Sequence, residues 1–149
     1  MEINESISIS QSPEKIWDFW MPVTTDTQWR DGITKAEWTS QAPYGIDSTG
    51  VHYHKDFGAM PWTIIRWEDG RHTEWLHRES KIRGSTASYH VEPENGGCLV
   101  SVHSKMTGPL FMRIMMVFMG GMMKKGIKSD LLKLKKIMEE KQGEVTIEE

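Results

Sequence analysis

The feature that most constrains this chain is a change of hydrophobic period at Gly108-Pro109. Upstream of it, Asp31-Gly32, Tyr44-Gly45, Thr49-Gly50, Asp69-Gly70 and Asn95-Gly96-Gly97 read as turns. The runs between them are rich in Trp, Ile, Val, Thr, Tyr and His, which favour strands. They predict strands at about 33–40, 50–57, 61–68, 72–80, 84–92 and 98–107. Tight loops at Asp69-Gly70 and Asn95-Gly96-Gly97 join neighbours as hairpins, so the strands form an antiparallel meander. Downstream, Phe111, Ile114, Met115, Phe118, Met122, Leu131, Leu134 and Met138 recur at helical steps. They predict one long helix over about 109–141.

The two halves of that helix differ. Residues 110–123 are apolar on most sides, whereas 124–141 is amphipathic with Lys124, Lys125, Lys128, Lys133, Lys135 and Lys136 outward. Gly120-Gly121 and Gly126 weaken the middle, at about 1 kcal/mol each against Ala, and predict a kink or local opening. At the other end, Ile3, Ile7 and Ile9 alternate with polar residues as in a half-buried strand, and Glu5 shares their parity. Ser12-Pro13 then starts a short helix over about 13–20, stopped by Pro22. A second helical turn is expected near 24–29.

These elements give an α+β fold in which a seven-stranded antiparallel sheet curls around the long C-terminal helix. The expected unit is one domain over 1–141, with a frayed tail at 142–149. Such a sheet leaves a gap against its helix, to be filled by side chains or by a ligand. One cysteine, Cys98, excludes a disulfide framework and a cysteine zinc module. A net charge of −3 argues against a nucleic-acid partner. The acidic, alternating start is unlike a secretory signal, and the apolar stretch 109–123 is short for a membrane span, so a cytoplasmic protein without integral membrane association is expected.

The chain resembles the START / birch-pollen-allergen superfamily with the helix-grip fold (SRPBCC), within it the polyketide cyclase/dehydrase and lipid-transport group. Residues Ile7 to Phe19 carry the opening strand and its Ser-Pro-Glu helix start, and Trp29 precedes the second strand. Gly97, Gly108-Pro109-Leu110 and Leu131-Leu132-Lys133-Leu134-Lys135-Lys136 carry the closing strand and helix. The resemblance spans nearly the whole chain and rests on structural motifs. It implies a cavity for a small molecule and supplies no universal catalytic residue.

Candidate ligand-binding residues follow from the 11 methionines and 7 tryptophans, which need burial. They are Trp38, Tyr53, Trp62, Trp75 and Tyr89 on the strands, and Phe111, Met115, Phe118, Met119 and Met122 on the helix. Met112, Met116 and Met123 are expected outward, as an apolar patch for a partner. Candidate acid–base residues are His77, His90, Tyr53 and Glu5. Glu5 and Arg66 share the parity of apolar neighbours and either pair inside the cavity or, at an exposed strand end, are both solvated, and the second is the simpler expectation. His52 and His54, followed by Asp56, have a metal-like spacing, but exposed strand faces often carry His and no metal or cofactor is expected. There is no phosphate loop and no nucleophile elbow.

Three functions fit. The first is binding of a hydrophobic or aromatic ligand, lipid-like or polyketide-like, with entry near Tyr44 and Phe57-Gly58-Ala59-Met60. The second is a cyclase or dehydratase using a cavity acid–base residue. The third is a protein–protein module with a filled cavity, and a homodimer is among the assemblies it allows.

Overall fold

The computed structural model describes the backbone of residues 1–147 and the side-chain surroundings of residues 1–140. Strand β1 (Glu2–Ile9) is followed by α1 (Pro13–Trp20) and α2 (Asp26–Trp29). Strands β2 (Ile33–Trp38), β3 (Thr49–His54), β4 (Gly58–Glu68), β5 (His72–Leu76), β6 (Thr86–Glu94) and β7 (Gly97–Lys105) come next, then α3 (Leu110–Ile147). The sheet order is β1-β7-β6-β5-β4-β3-β2 and every pair is antiparallel. This is the helix-grip α+β architecture: a meander closed on one side by the first strand and filled by helices.

Each element has a local cause. Ser12 caps α1 by accepting from the Lys15 amide, and Pro13 occupies the first turn, where its missing N–H costs nothing. α1 buries Ile16, Trp17, Phe19 and Trp20 against the sheet. Gly70 and Gly96 take positive φ at two hairpin turns. Pro61 is tolerated within β4 because β4–β5 pairing begins only at Thr63↔Leu76. Its carbonyl, beyond the end of β5, faces His77 Nδ1 at 3.0 Å.

Three features depart most from expectation. β4 starts at Gly58, so Gly58 to Met60 belong to a strand rather than to an entry loop, and Phe57 ends the turn before it. Phe57 and Met60 pack with Ile82, Met112 and Met116 and close that end of the molecule. β5 stops at Leu76, where a loop through Ile82 replaces the expected continuation to 80. α3 runs unbroken through Gly120, Gly121 and Gly126. The expected frayed tail, 142–149, falls on residues whose side chains, and in the last two the backbone, lie outside the described residues.

The main core joins Ile9, Trp20, Trp62, Ile64, Trp75, Tyr89, Val91 and Val100 to Leu131, Leu134 and Met138 of α3. The C-terminal half of α3 thus supplies the helix side of the main core, while Met112 and Met116 of the other half pack on Ile33, Ala36 and Met60 at one end of the sheet. In the N-terminal half of α3 Met112 and Met116 are buried, while Phe111, Met115, Phe118, Met119 and Met122 are exposed. This reverses the expected facing of Met112 and Met116. The phase of the helix is set by the core stripe Leu131–Leu134–Met138, which continues N-terminally through Ile127 and Met123 to Met116 and Met112.

Candidate functional site

The inner end of the sheet holds an aromatic cage. Gly50 lies opposite Trp62, and a Cβ there would collide with the Trp62 ring, so glycine lets the indole lie across β3. Trp62 meets Trp38 edge-on at 5.0 Å and lies 6.3 Å from Trp75. Tyr89 packs edge-on against Trp75 at 4.7 Å and lies 5.0 Å from Trp20. Outside the cage, Tyr44 stacks flat on Trp38 at 3.9 Å, and Trp38 Nε1 donates to the Met21 carbonyl.

A buried polar group sits in this cage. Asp26, at the start of α2, is 1% exposed. His52 Nε2 lies 2.8 Å from Asp26 Oδ2, and Arg30 Nη1 lies 3.5 Å from the same oxygen. Burial lowers the pKa of His52, Asp26 opposes that shift, and Arg30 adds to it. A neutral ring must carry its proton on Nε2 to donate to Asp26. The 3.4 Å approach of Arg30 to Nε2 is then proximity, and the guanidinium pairs with the carboxylate instead. Burial pushes the Tyr89 phenol well above its usual range, with Arg30 opposing.

The cage encloses a cavity of about 30 Å³, lined from α1, α2 and strands β2 to β6, with no lining residue from the described part of α3. Four polar atoms of its lining residues are buried without a hydrogen-bond partner: Trp20 Nε1, Asp26 Oδ1, Trp62 Nε1 and Thr73 Oγ1. The Tyr89 hydroxyl has Arg30 beside it, short of full hydrogen-bond geometry. An unpaired buried polar atom costs about 1–3 kcal/mol. Four around one space is a concentration that folding alone does not explain.

Of the residues singled out in the sequence, Trp38, Trp62, Trp75 and Tyr89 converge here. Tyr53 does not: it shares the outer face with Lys35, whose Nζ sits 5.5 Å from the ring centroid. His77 is buried outside the cage, and burial lowers its pKa to about 4, against the pull of the Pro61 carbonyl. His90 is on the outer face, with its Nδ1 3.3 Å from His72 Nδ1. These two line an open concavity of about 530 Å³ with Ser88, Ser101 and His103.

Glu5 points inward, but its partner is Lys124 at 3.7 Å rather than Arg66. Arg66 is exposed and pairs with Glu68, because a register shift between Ile64 and Arg66 flips the parity of β4. His52 and His54 do not act together. His54 lies tilted against the Phe57 ring at 4.8 Å and accepts from the Asp56 amide. Among the described residues no three His, Cys, Asp or Glu side chains are placed to hold a metal ion.

Sequence reasoning missed Asp26 and Arg30. Their i, i+4 spacing reads as an exposed helical ion pair. The available signal was Trp29 between them, whose burial turns the short helix inward.

A seven-stranded antiparallel half-barrel around a long C-terminal helix, with two short helices after the first strand, defines the class of helix-grip domains. The comparisons place the chain within it. Residues 1–139 match the family described as polyketide cyclase / dehydrase and lipid transport, and the protein belongs to that family. Similar solved structures include TTHA0849 from Thermus thermophilus, with TM-score 0.73 and 16% identity over 91% of this chain and 95% of that one. The Aha1 dimer from Colwellia psychrerythraea has TM-score 0.66 and 17% identity, covering 93% and 96%. DR_A0006 from Deinococcus radiodurans has TM-score 0.63 and 13% identity, covering 91% and 95%. At these identities the likeness is one of fold. No curated protein matches.

Proposed function

We propose that the protein binds a hydrophobic or aromatic small molecule carrying one polar group. The polar end docks at Asp26, His52 and Arg30, and the apolar part lies among Trp38, Trp62, Trp75 and Tyr89. The observation that carries this reading is the set of four unpaired buried polar atoms on residues that line one aromatic-walled cavity. At about 30 Å³ that cavity is far below the roughly 300–1,000 Å³ of typical ligand sites. Binding therefore requires opening, and the Tyr44 stack on Trp38 is the place for it, because Tyr44 belongs to the loop between β2 and β3.

Titration with palmitate and with a hydroxylated anthraquinone, read by tryptophan emission, tests the reading. Saturable quenching by either probe is expected. His52→Gln weakens it about tenfold, as loss of one buried polar contact would, while thermal unfolding stays cooperative. Absence of saturation with both probes, together with a ligand-free mass for protein purified from cells, removes the proposal.

The hydrogen bond between Asp26 and His52 favours a second reading, cyclisation or dehydration of a polyketide-like substrate. Asp26 holds the Nε2 proton, which leaves Nδ1 as the basic nitrogen. In that case a poly-β-keto probe is converted by the wild type and only bound by His52→Gln.

A further inference from the structure

The N-terminal half of α3 presents an uncovered apolar surface. Leu110, Phe111, Ile114, Val117, Phe118 and Met122 are all exposed, Val117 and Phe118 at 81% and 83%. At 100° per residue, the exposed apolar positions span roughly 200° of the helix circumference. Their burial is not needed for folding, since Met112 and Met116 already supply the contact with the second core cluster. Monomers rarely leave a contiguous patch of this kind in water.

Charge identifies the partner. No carboxylate occurs from residue 95 to residue 129, and this stretch includes Arg113, Lys124, Lys125 and Lys128. Residues 110–138 carry seven cations and one anion, whereas residues 1–109 carry ten cations and fifteen anions. Lys125 and Lys128 continue the exposed face about two to three turns beyond Phe118, while Lys124 turns back to Glu5. No described helix is long and apolar enough to cross a membrane. A second copy meeting this surface through its own would bring no carboxylate for these cations. A bilayer rich in anionic phospholipid supplies an apolar layer for the Phe and Met side chains and phosphates for the lysines.

We propose that the N-terminal half of α3 is a peripheral docking surface for an anionic lipid bilayer, with Leu110 to Met122 inserted at the headgroup boundary and Lys125 and Lys128 on the phosphates. The assignment stands independently of the ligand reading. Co-sedimentation with vesicles of phosphatidylcholine, alone or mixed with phosphatidylglycerol, tests it. Binding is expected to the mixed vesicles and weakens as salt is raised. Lys125→Gln with Lys128→Gln lowers partitioning on the order of 25-fold, from about fivefold per lysine. Val117→Ser with Phe118→Ser abolishes it, and both variants keep wild-type thermal unfolding. No binding to mixed vesicles, or equal binding to both kinds, overturns the proposal. So does a dimer in sedimentation equilibrium that Phe118→Ser dissociates, which would assign the face to a second copy.

Discussion

The two halves of α3 carry apolar side chains to opposite fates. In the C-terminal half Leu131, Leu134 and Met138 are almost wholly buried and the lysines face water. In the N-terminal half the larger share of the apolar side chains is exposed. The difference lies in what faces each half: α1 and the concave sheet cover the first, and only the end of the half-barrel reaches the second. Apolar content therefore marks core in one half and surface in the other. The polar site lies with the gripped half, since Asp31 and Asp130 join α2 to α3 there.

Paired truncations separate the two halves most sharply. Leu134→Ala should lower unfolding free energy by about 2–5 kcal/mol, because it opens a cavity in a closed core. Phe118→Ala should change it by less than about 0.5 kcal/mol. A similar loss at both positions in urea unfolding would show that Phe118 is covered in the free protein.

Next in size is the pH dependence of the buried interior. His77 is neutral in the folded chain down to about pH 4, while the unfolded chain protonates it near 6.5. The unfolded state binds the extra proton between those values. Stability from this group is complete above 6.5 and is lost as pH falls toward 4, on the order of 3 kcal/mol in all. His52 acts in the same direction. Urea unfolding across that window should give a flatter profile for His77→Gln than for the wild type, and an unchanged slope refutes the assignment.

The smallest effect belongs to the exposed half. A Cβ at Gly121 meets nothing within 4 Å, so Gly121→Ala should stabilise the helix by about 0.5–1 kcal/mol. A fall in melting temperature instead would show that this turn packs against something in solution.

The sequence carried most of this fold. The alternation of Ile3, Ile7 and Ile9, the Ser12-Pro13 start and the glycine turns each act within a few residues, so local pattern suffices to place them. What stayed hidden depends on neighbours distant in sequence. The 110–123 stretch is apolar on most sides and has no phase of its own. Its facing is fixed only by continuing the Leu131–Leu134–Met138 stripe backward. Arg66 was misplaced because a β-bulge is a two-strand property. The aromatic half of the candidate site was legible as strand tryptophans. Its polar half was not, because the burial of Asp26 is decided by β3 placing His52 above it.

The edge position of β1 bears on how the chain acquires its shape during synthesis. Among the described residues its one sheet partner is β7, about a hundred positions later, and the Ser10 amide is held by Glu139 of α3. At ribosomal speeds that separation is roughly 5–20 s of waiting. Through that interval Ile3, Ile7 and Ile9 have no sheet partner, while the β2–β6 hairpins can form as they emerge. The first strand of the domain is thus among the last to be paired, and a nascent-chain chaperone would meet it before the rest of the protein does.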